Sequence, residues 1–326
     1  MIETRALRKT FKTRQGREVR NVEAVRGVDL RVDGGEIFGF LGPNGAGKTT
    51  TLRMLATLIT PDDGKAVIAG ADLLAAPGEV RRRIGYVAQG GSTWDDVTAR
   101  EELVMHARMY GIAKAEAHER AAAALAAFDL AEYADRKCRT YSGGQRRRVD
   151  IALGIIHGPK VLFLDEPTTG LDPQSRARMW DEIRRLRSEG MTVFITTHYL
   201  DEADALCDRI AIIDHGEIVA EGTPAALKRE ISGDVVSVGL GSAAEVAEAG
   251  DRVRAAAAAL ESEPYVRRLE THNEGLRLLV DSGATAIPHV ARALDRAGVA
   301  LDSIEVHRPS LDDVFLAKTG RSLRES

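Results

Sequence analysis

Uninterrupted apolar runs of strand length punctuate the chain: EIFGFLG (36–42), IGYVAQ (84–89), KVLFLDEP (160–167) and MTVFITTH (191–198). Strands that are apolar at every position, rather than at alternate ones, are covered on both faces, the signature of a parallel sheet flanked by helices. Helical patterning fills the gaps. NGAGKTTTLRMLATLI follows the first run, and Pro173 to Ser188 separates the last two. Residues 99–137 read as helical throughout, with Leu103, Ala107 and Tyr110 at three- and four-residue spacing. Residues 1–70 read as short strands and turns leading into a helix, and RIAIIDHGEIVAEG as a hairpin turning at His215-Gly216.

The pattern changes around residues 222–233. GTPAALKREISGD is rich in turn residues and poor in periodicity, which places a domain boundary there. Beyond it the order is strand (234–241), helix (243–260), strand (265–272), strand (276–281), helix (285–297) and strand (299–307). That order matches the split βαβ arrangement of ferredoxin-like domains. Near the end, Pro309, Ser310 and an Asp-Asp pair start a last helix with Leu311, Val314, Phe315 and Leu316 as its apolar face.

Composition narrows the function classes. The 326 residues are 44% hydrophobic and 29% charged with a net charge of −4, an ordinary globular balance that argues against bulk attraction to nucleic acid. The arginine runs 81–83 and 146–148 read as solvated faces. Cys138 and Cys207 lack CxxC spacing and read as reduced thiols. No stretch reaches the roughly 18 apolar residues of a membrane span, so work at a membrane is expected to go through a partner.

Two glycine-rich stretches carry the candidate chemistry. GPNGAGKTT (Gly42, Pro43, Asn44, Gly45, Ala46, Gly47, Lys48, Thr49, Thr50) satisfies G-x-x-x-x-G-K-[ST] between an apolar strand and a helix. Its glycines permit the curvature that turns backbone N–H groups inward as an anion nest, and the helix N-terminus adds its positive end. Lys48 suits the β- and γ-phosphates and Thr49 a Mg²⁺ ion. In KVLFLDEP, Asp165 and Glu166 end a buried strand. Neighbouring strand residues face opposite ways, so both serve one site only if the chain turns there, as Pro167 ensures. Asp165 suits the Mg²⁺ shell and Glu166 the role of base or polariser for an attacking water; capping of the next helix is the competing explanation. Gln89 and His198 also stand at strand ends, on the sheet edge where open α/β sheets bind ligands.

The second stretch is YSGGQRRRVDIALG. Ser142 with Gln145 fits a capping box, yet Gly143 and Gly144 each disfavour a helix by roughly 1 kcal/mol against alanine. Their lack of bulk would admit an anion to the exposed N–H groups.

GPNGAGKTT, Gln89, YSGGQ, VLFLDEP, GLD and the TTH histidine, in that order, resemble the nucleotide-binding subunit of ATP-binding-cassette (ABC) proteins over about residues 1–225. The resemblance implies a P-loop NTPase of ABC type, with a RecA-like core, an N-terminal β subdomain and a helical insertion at about 90–155. A small C-terminal α+β accessory domain over 226–326 would follow. It implies ATP and Mg²⁺ as ligands and a head-to-tail homodimer. Ser142, Gly143, Gly144 and Gln145 would then meet the ATP held by the other subunit's loop. It implies Thr49, Gln89 and Asp165 at Mg²⁺, Glu166 and His198 as catalytic, Asp172 as a dimer contact, and Phe11 stacked on adenine where a tyrosine is usual. The tail EVHRPSLDDVFLAKTG resembles ATP-binding subunits of the daunorubicin-resistance type, which implies a separately encoded transmembrane permease, drug export and a peripheral place on the cytoplasmic face of the membrane. The alternatives are a cassette ATPase acting on nucleic acid or the ribosome, or the ATPase of an importer.

Overall fold

The computed structural model describes residues 1–320 except 16–17, 232, 241–245, 262, 273–274 and 308. They form two compact units, Met1–Pro224 and the residues from Ala225 onward.

The first unit is built on a six-stranded sheet. Its strands are β3 (Ile37–Leu41), β6 (Ile84–Val87), β7 (Val161–Asp165), β8 (Thr192–Thr197), β9 (Arg209–Asp214) and β10 (Glu217–Gly222), in the order β10-β9-β3-β8-β7-β6. All neighbours pair parallel except the β9–β10 hairpin. Every residue of β3, β7 and β8 is buried, as their unbroken apolar runs require. Phe194 of β8 packs its ring 5.6 Å from Phe38 and 5.7 Å from Phe163, so one aromatic row ties the three central strands together. The hairpin turns at His215-Gly216, both at positive φ, as expected.

Against this sheet lies an antiparallel one, β2-β1-β4-β5, whose Ile2, Leu7, Val25 and Val28 join Phe38, Phe40 and Phe194 in one core. Here the structure corrects the expectation of short strands. β1 (Ile2–Gln15) and β2 (Glu18–Val32) are a long hairpin, and β1 also pairs with β4 (Asp63–Ile68), which continues to β5 (Ala71–Asp72). Ile2, Thr4 and Leu7 are all buried although their spacing is two and then three. A register shift between Thr4 and Leu7, with Ala6 at φ 48°, restores the parity that the spacing breaks.

Around the sheets lie α1 (Lys48–Leu55), α2 (Pro77–Arg83), α6 (Pro173–Ser188) and α7 (Leu200–Leu206). The helical insertion comprises α3 (Ala99–Met109), α4 (Lys114–Ala127) and α5 (Gly143–Ile155). The expected continuous helix over 99–137 is in fact two. Gly111 and Asp129, at φ 82° and 54°, stop α3 and α4, and single 3₁₀ turns follow.

The second unit opens on a short helix, α8 (Pro224–Glu230), inside the stretch expected to be irregular. Then come β11 (Asp234–Gly239), α9 (Val246–Leu260), β12 (Val266–His272), β13 (Gly275–Val280), α10 (Gly283–Arg296) and β14 (Ser303–His307). The sheet is antiparallel in the order β12-β13-β11-β14, the ferredoxin-like topology that the sequence order matches. Val236, Val238, Leu278, Val290 and Leu294 fill its core. The expected elements at residues 241 and 243–245, and Arg308 of the tail, lie outside the described residues. The last helix, α11 (Leu311–Thr319), starts from a Ser310/Asp313 capping box. Leu311, Val314 and Phe315 are buried, but Leu316, expected on the same face, is 47% exposed.

Candidate active site

The loop between β3 and α1 is shaped by close approach. Gly47 holds φ 107° at the start of α1, and a Cβ there would stand 2.4 Å from the carbonyl of Ala24. No side chain caps α1, and its first turn carries no acidic residue. Its leading amides are thus left to an anion. Lys48 is buried, donating to the carbonyls of Gly42 (2.8 Å) and Pro43 (3.0 Å), with Glu166 Oε1 at 3.4 Å. Burial presses its pKa below the usual lysine value, opposed by Glu166 and Asp165. Asn44 and Gly45 form the exposed tip, Pro43 and Ala46 are buried, and Thr50 is half-buried.

At the end of β7 the chain makes the turn that lets two adjacent carboxylates share a site. Glu166 sits at φ 44°, a left-handed conformation unusual for glutamate. Its N–H is tied to Thr196, with the carbonyl oxygen at 3.2 Å and Oγ1 at 3.0 Å. Asp165 Oδ1 accepts from Thr49 (2.9 Å) and Thr196 (2.7 Å), whereas its buried Oδ2 has no partner. An unpartnered, desolvated carboxylate oxygen beside a threonine hydroxyl suits a hard divalent cation. Glu166 is buried too. Its Oε2 accepts from Gln89 Nε2 (2.8 Å) and Thr169 Oγ1 (3.2 Å). His198 Nδ1 lies 3.2 Å from that oxygen, but off the line of a hydrogen bond. The loop lysine, both carboxylates, Gln89 and His198 therefore converge on one point at the C-terminal edge of the sheet.

The Ser142 turn is exposed at the start of α5. The capping box forms: Ser142 Oγ accepts from Gln145 N–H (3.2 Å), and Gln145 Oε1 accepts from Ser142 N–H (2.9 Å). The two glycines differ. A Cβ on Gly144 would meet Ser175 Oγ at 2.9 Å, so packing within the chain already demands a small residue there. A Cβ on Gly143 would meet nothing closer than Leu171 Cδ2 at 3.9 Å, so packing within the chain would accept a larger residue there. Gly143 shares a groove of about 540 Å³ with Gln89, Thr169 and Leu171.

Two expected contacts stand apart from the cluster. Asp172 caps α6, accepting from Ser175 N–H (2.9 Å) and Oγ (2.7 Å), which hold its carboxyl below the usual range. Phe11 is 38% exposed on β1, with Lys9 Nζ 5.7 Å from its ring centre, so it is not a core residue. The sequence reading missed Thr169 and Thr196, which position the carboxylates; the threonine pair ending ITTH was the available signal. It also mistook Arg147 for part of a solvated run. That residue is 6% exposed and hydrogen-bonded to three carbonyls.

Residues 25–169 match the ABC transporter family, and residues 222–319 match the C-terminal domain of DrrA1-3-like ATP-binding proteins. The chain is 46% identical to the daunorubicin/doxorubicin resistance ATP-binding protein DrrA of Streptomyces peucetius, over 91% of this chain and 88% of that protein. It is 39% identical to the Nod factor export ATP-binding protein I of Burkholderia thailandensis, over 92% and 93%. Among solved structures, an ATP-binding cassette in a dimeric post-hydrolysis state with ADP and Pi superposes with a TM-score of 0.61 at 27% identity, covering 68% of this chain and 98% of that one.

Proposed function

Because the chain belongs to the ATP-binding proteins of ABC transporters with a DrrA-type C-terminal domain, we propose that it is the ATP-hydrolysing subunit of a membrane exporter for drugs, antibiotics or other hydrophobic compounds. The cassette, residues 1–225, would be the motor and residues 226–326 an accessory domain. A membrane-embedded permease encoded separately would complete the exporter: among the described residues no helix is long and apolar enough to cross a bilayer. The cassette would sit peripherally on its cytoplasmic face. The relatives favour this over a ribosome- or nucleic-acid-directed ATPase or an importer.

The observation that carries the hydrolytic mechanism is the buried Glu166 carboxylate at the meeting point of Lys48, Gln89, Thr169 and His198. The uncapped amides of α1 and Lys48 hold the β- and γ-phosphates of ATP, and Phe11 offers its exposed face to adenine. Asp165, Thr49 and Gln89 would hold Mg²⁺, which when bound neutralises charge on the phosphate oxygens. Glu166, fixed by Gln89 and Thr169, orients the attacking water and accepts its proton. His198, half-buried beside it, contacts the γ-phosphate. Ser142, Gly143, Gly144 and Gln145 of a second copy close over the same nucleotide, and Asp172 lies at that seam. The exposed turn and the open space beside Gly143 support closure by a partner.

Glu166→Gln tests the mechanism. It keeps the shape and removes the base, so ATP still binds, turnover falls about 10²-fold or more, and a dimer accumulates on size-exclusion chromatography with ATP and Mg²⁺. Near-normal hydrolysis by this variant would refute it.

A further inference from the structure

Arg147 belongs to a run of three arginines on α5 yet is buried, with all three guanidinium nitrogens engaged. Nε donates to the carbonyl of Pro167 (2.8 Å), Nη2 to that of Asp165 (3.1 Å) and Nη1 to that of Ala88 (2.6 Å). Two of these carbonyls flank Glu166 and the third precedes Gln89. The side chain therefore clamps the left-handed kink at Glu166 from both sides and holds the strand end that carries its hydrogen-bond partner. One turn upstream on the same helix is the Ser142–Gln145 box. One turn downstream, Asp150 accepts from Ser92 N–H (2.8 Å), Thr93 N–H (3.1 Å) and Thr93 Oγ1 (2.7 Å). Arg146 reaches the carbonyl of Thr93 (2.9 Å) and Asp95 (2.7 Å). The first turns of α5 thus grip residues 88–95 as well as the catalytic strand end.

We propose that Arg147 is a positioning residue for hydrolysis, fixing Glu166 and Gln89 to the helix that carries the Ser142 turn. The inference rests on the assignment of Glu166 and Gln89 made above. A planar fork with donors on three nitrogens can serve carbonyls on two separate segments; a lysine places one nitrogen at its tip and cannot. The phosphate loop makes none of these bonds, so nucleotide affinity should be insensitive to Arg147 while the chemical step is sensitive. Misplacement of a reacting group by about 1 Å can cost about 10²-fold in rate.

The test uses the full chain with Arg147→Gln and Arg147→Lys, measuring kcat, KM, equilibrium affinity for a fluorescent ATP analogue and thermal midpoint. The expected result is a kcat reduced at least about 10-fold, with KM and analogue affinity within about 3-fold of wild type. Combined with Gln89→Ala, the loss should fall well short of the product of the single losses, because both changes act on the same carboxylate. Should Arg147→Gln fail to fold, Arg147→Lys, which keeps a charge beside Asp150, gives the same readout. A normal kcat, a weakened affinity that tracks a lowered thermal midpoint, or multiplicative losses with Gln89→Ala would each overturn the inference. Glu166→Gln measured alongside separates the two levels. If it is inactive while the Arg147 variants are normal, this inference alone fails; if it is active, the mechanism beneath it fails.

Discussion

At the scale of single residues, the site is governed by a few backbone positions that side-chain chemistry alone would not identify. Glu166 reaches the same point as Asp165 because it occupies a left-handed conformation, which costs on the order of 1–3 kcal/mol and is held by Thr196. Gly143 and Gly144 make different predictions. Gly143→Ala has room for its methyl and should leave stability within about 1 kcal/mol of wild type, yet under the proposed function ATPase activity should fall because the methyl would stand where a second copy's phosphate approaches. Gly144→Ala should lower the thermal midpoint as well, since Ser175 must move. A melting curve and a steady-state assay on each variant check both. Gly47→Ala combines a positive φ with a backbone clash and should abolish ATP binding, read by analogue titration.

At the scale of elements, the helical insertion is joined to the Gln89 loop through buried polar groups, one of which titrates near neutrality. Glu102 on α3 accepts from Trp94 N–H at 3.2 Å and 3.3 Å. Burial pushes its carboxyl up to about 7; Asp150 adds to the rise, while the Trp94 N–H and Arg146 oppose it. In the unfolded chain the same group loses its proton near pH 4.5. The native state then binds more protons than the unfolded state between those values, so stability falls as pH rises through that window and levels off above it. Glu102→Gln keeps an acceptor for Trp94 and removes the charge. It should flatten the decline and add about 1–3 kcal/mol at pH 8, measured by denaturant titration at pH 5 and pH 8. The elements themselves were legible to different degrees. The buried parallel strands stood out because their runs are apolar at every position. The β1–β2 hairpin did not, because its exposed face is crowded with Arg and Lys and a bulge breaks its period. The break between α3 and α4 rested on Gly111 and the end of α4 on Asp129, two residues in a stretch otherwise rich in helix formers.

At the scale of the whole molecule, the proposed function leaves each cassette incomplete without a second, because the exposed Ser142 turn of one copy would close over the nucleotide of the other. Specific activity should therefore rise with protein concentration at saturating ATP. A Ser142→Arg chain and a Lys48→Ala chain, each inactive alone, should recover hydrolysis when mixed, since a mixed dimer contains one intact phosphate loop facing one intact turn. A mixture no more active than its components would show that the turn does not act across chains. The relatives extend from drug resistance to Nod factor export. Under the proposed function, the cargo would then be set outside the nucleotide site.

The sequence by itself determined the phosphate loop, the carboxylate pair, the signature turn and the strand–helix alternation, because each is a local pattern whose chemistry needs particular residues at fixed spacing. Only the tertiary structure decided that Asp165 keeps one oxygen free while Glu166 gathers Gln89, Thr169 and His198, and that Arg147 lies beneath them. Except for Thr169, three positions from Glu166, those contacts join residues 18 or more positions apart in the chain. The spacing that reveals a motif carries no information about which distant carbonyl a buried guanidinium will find.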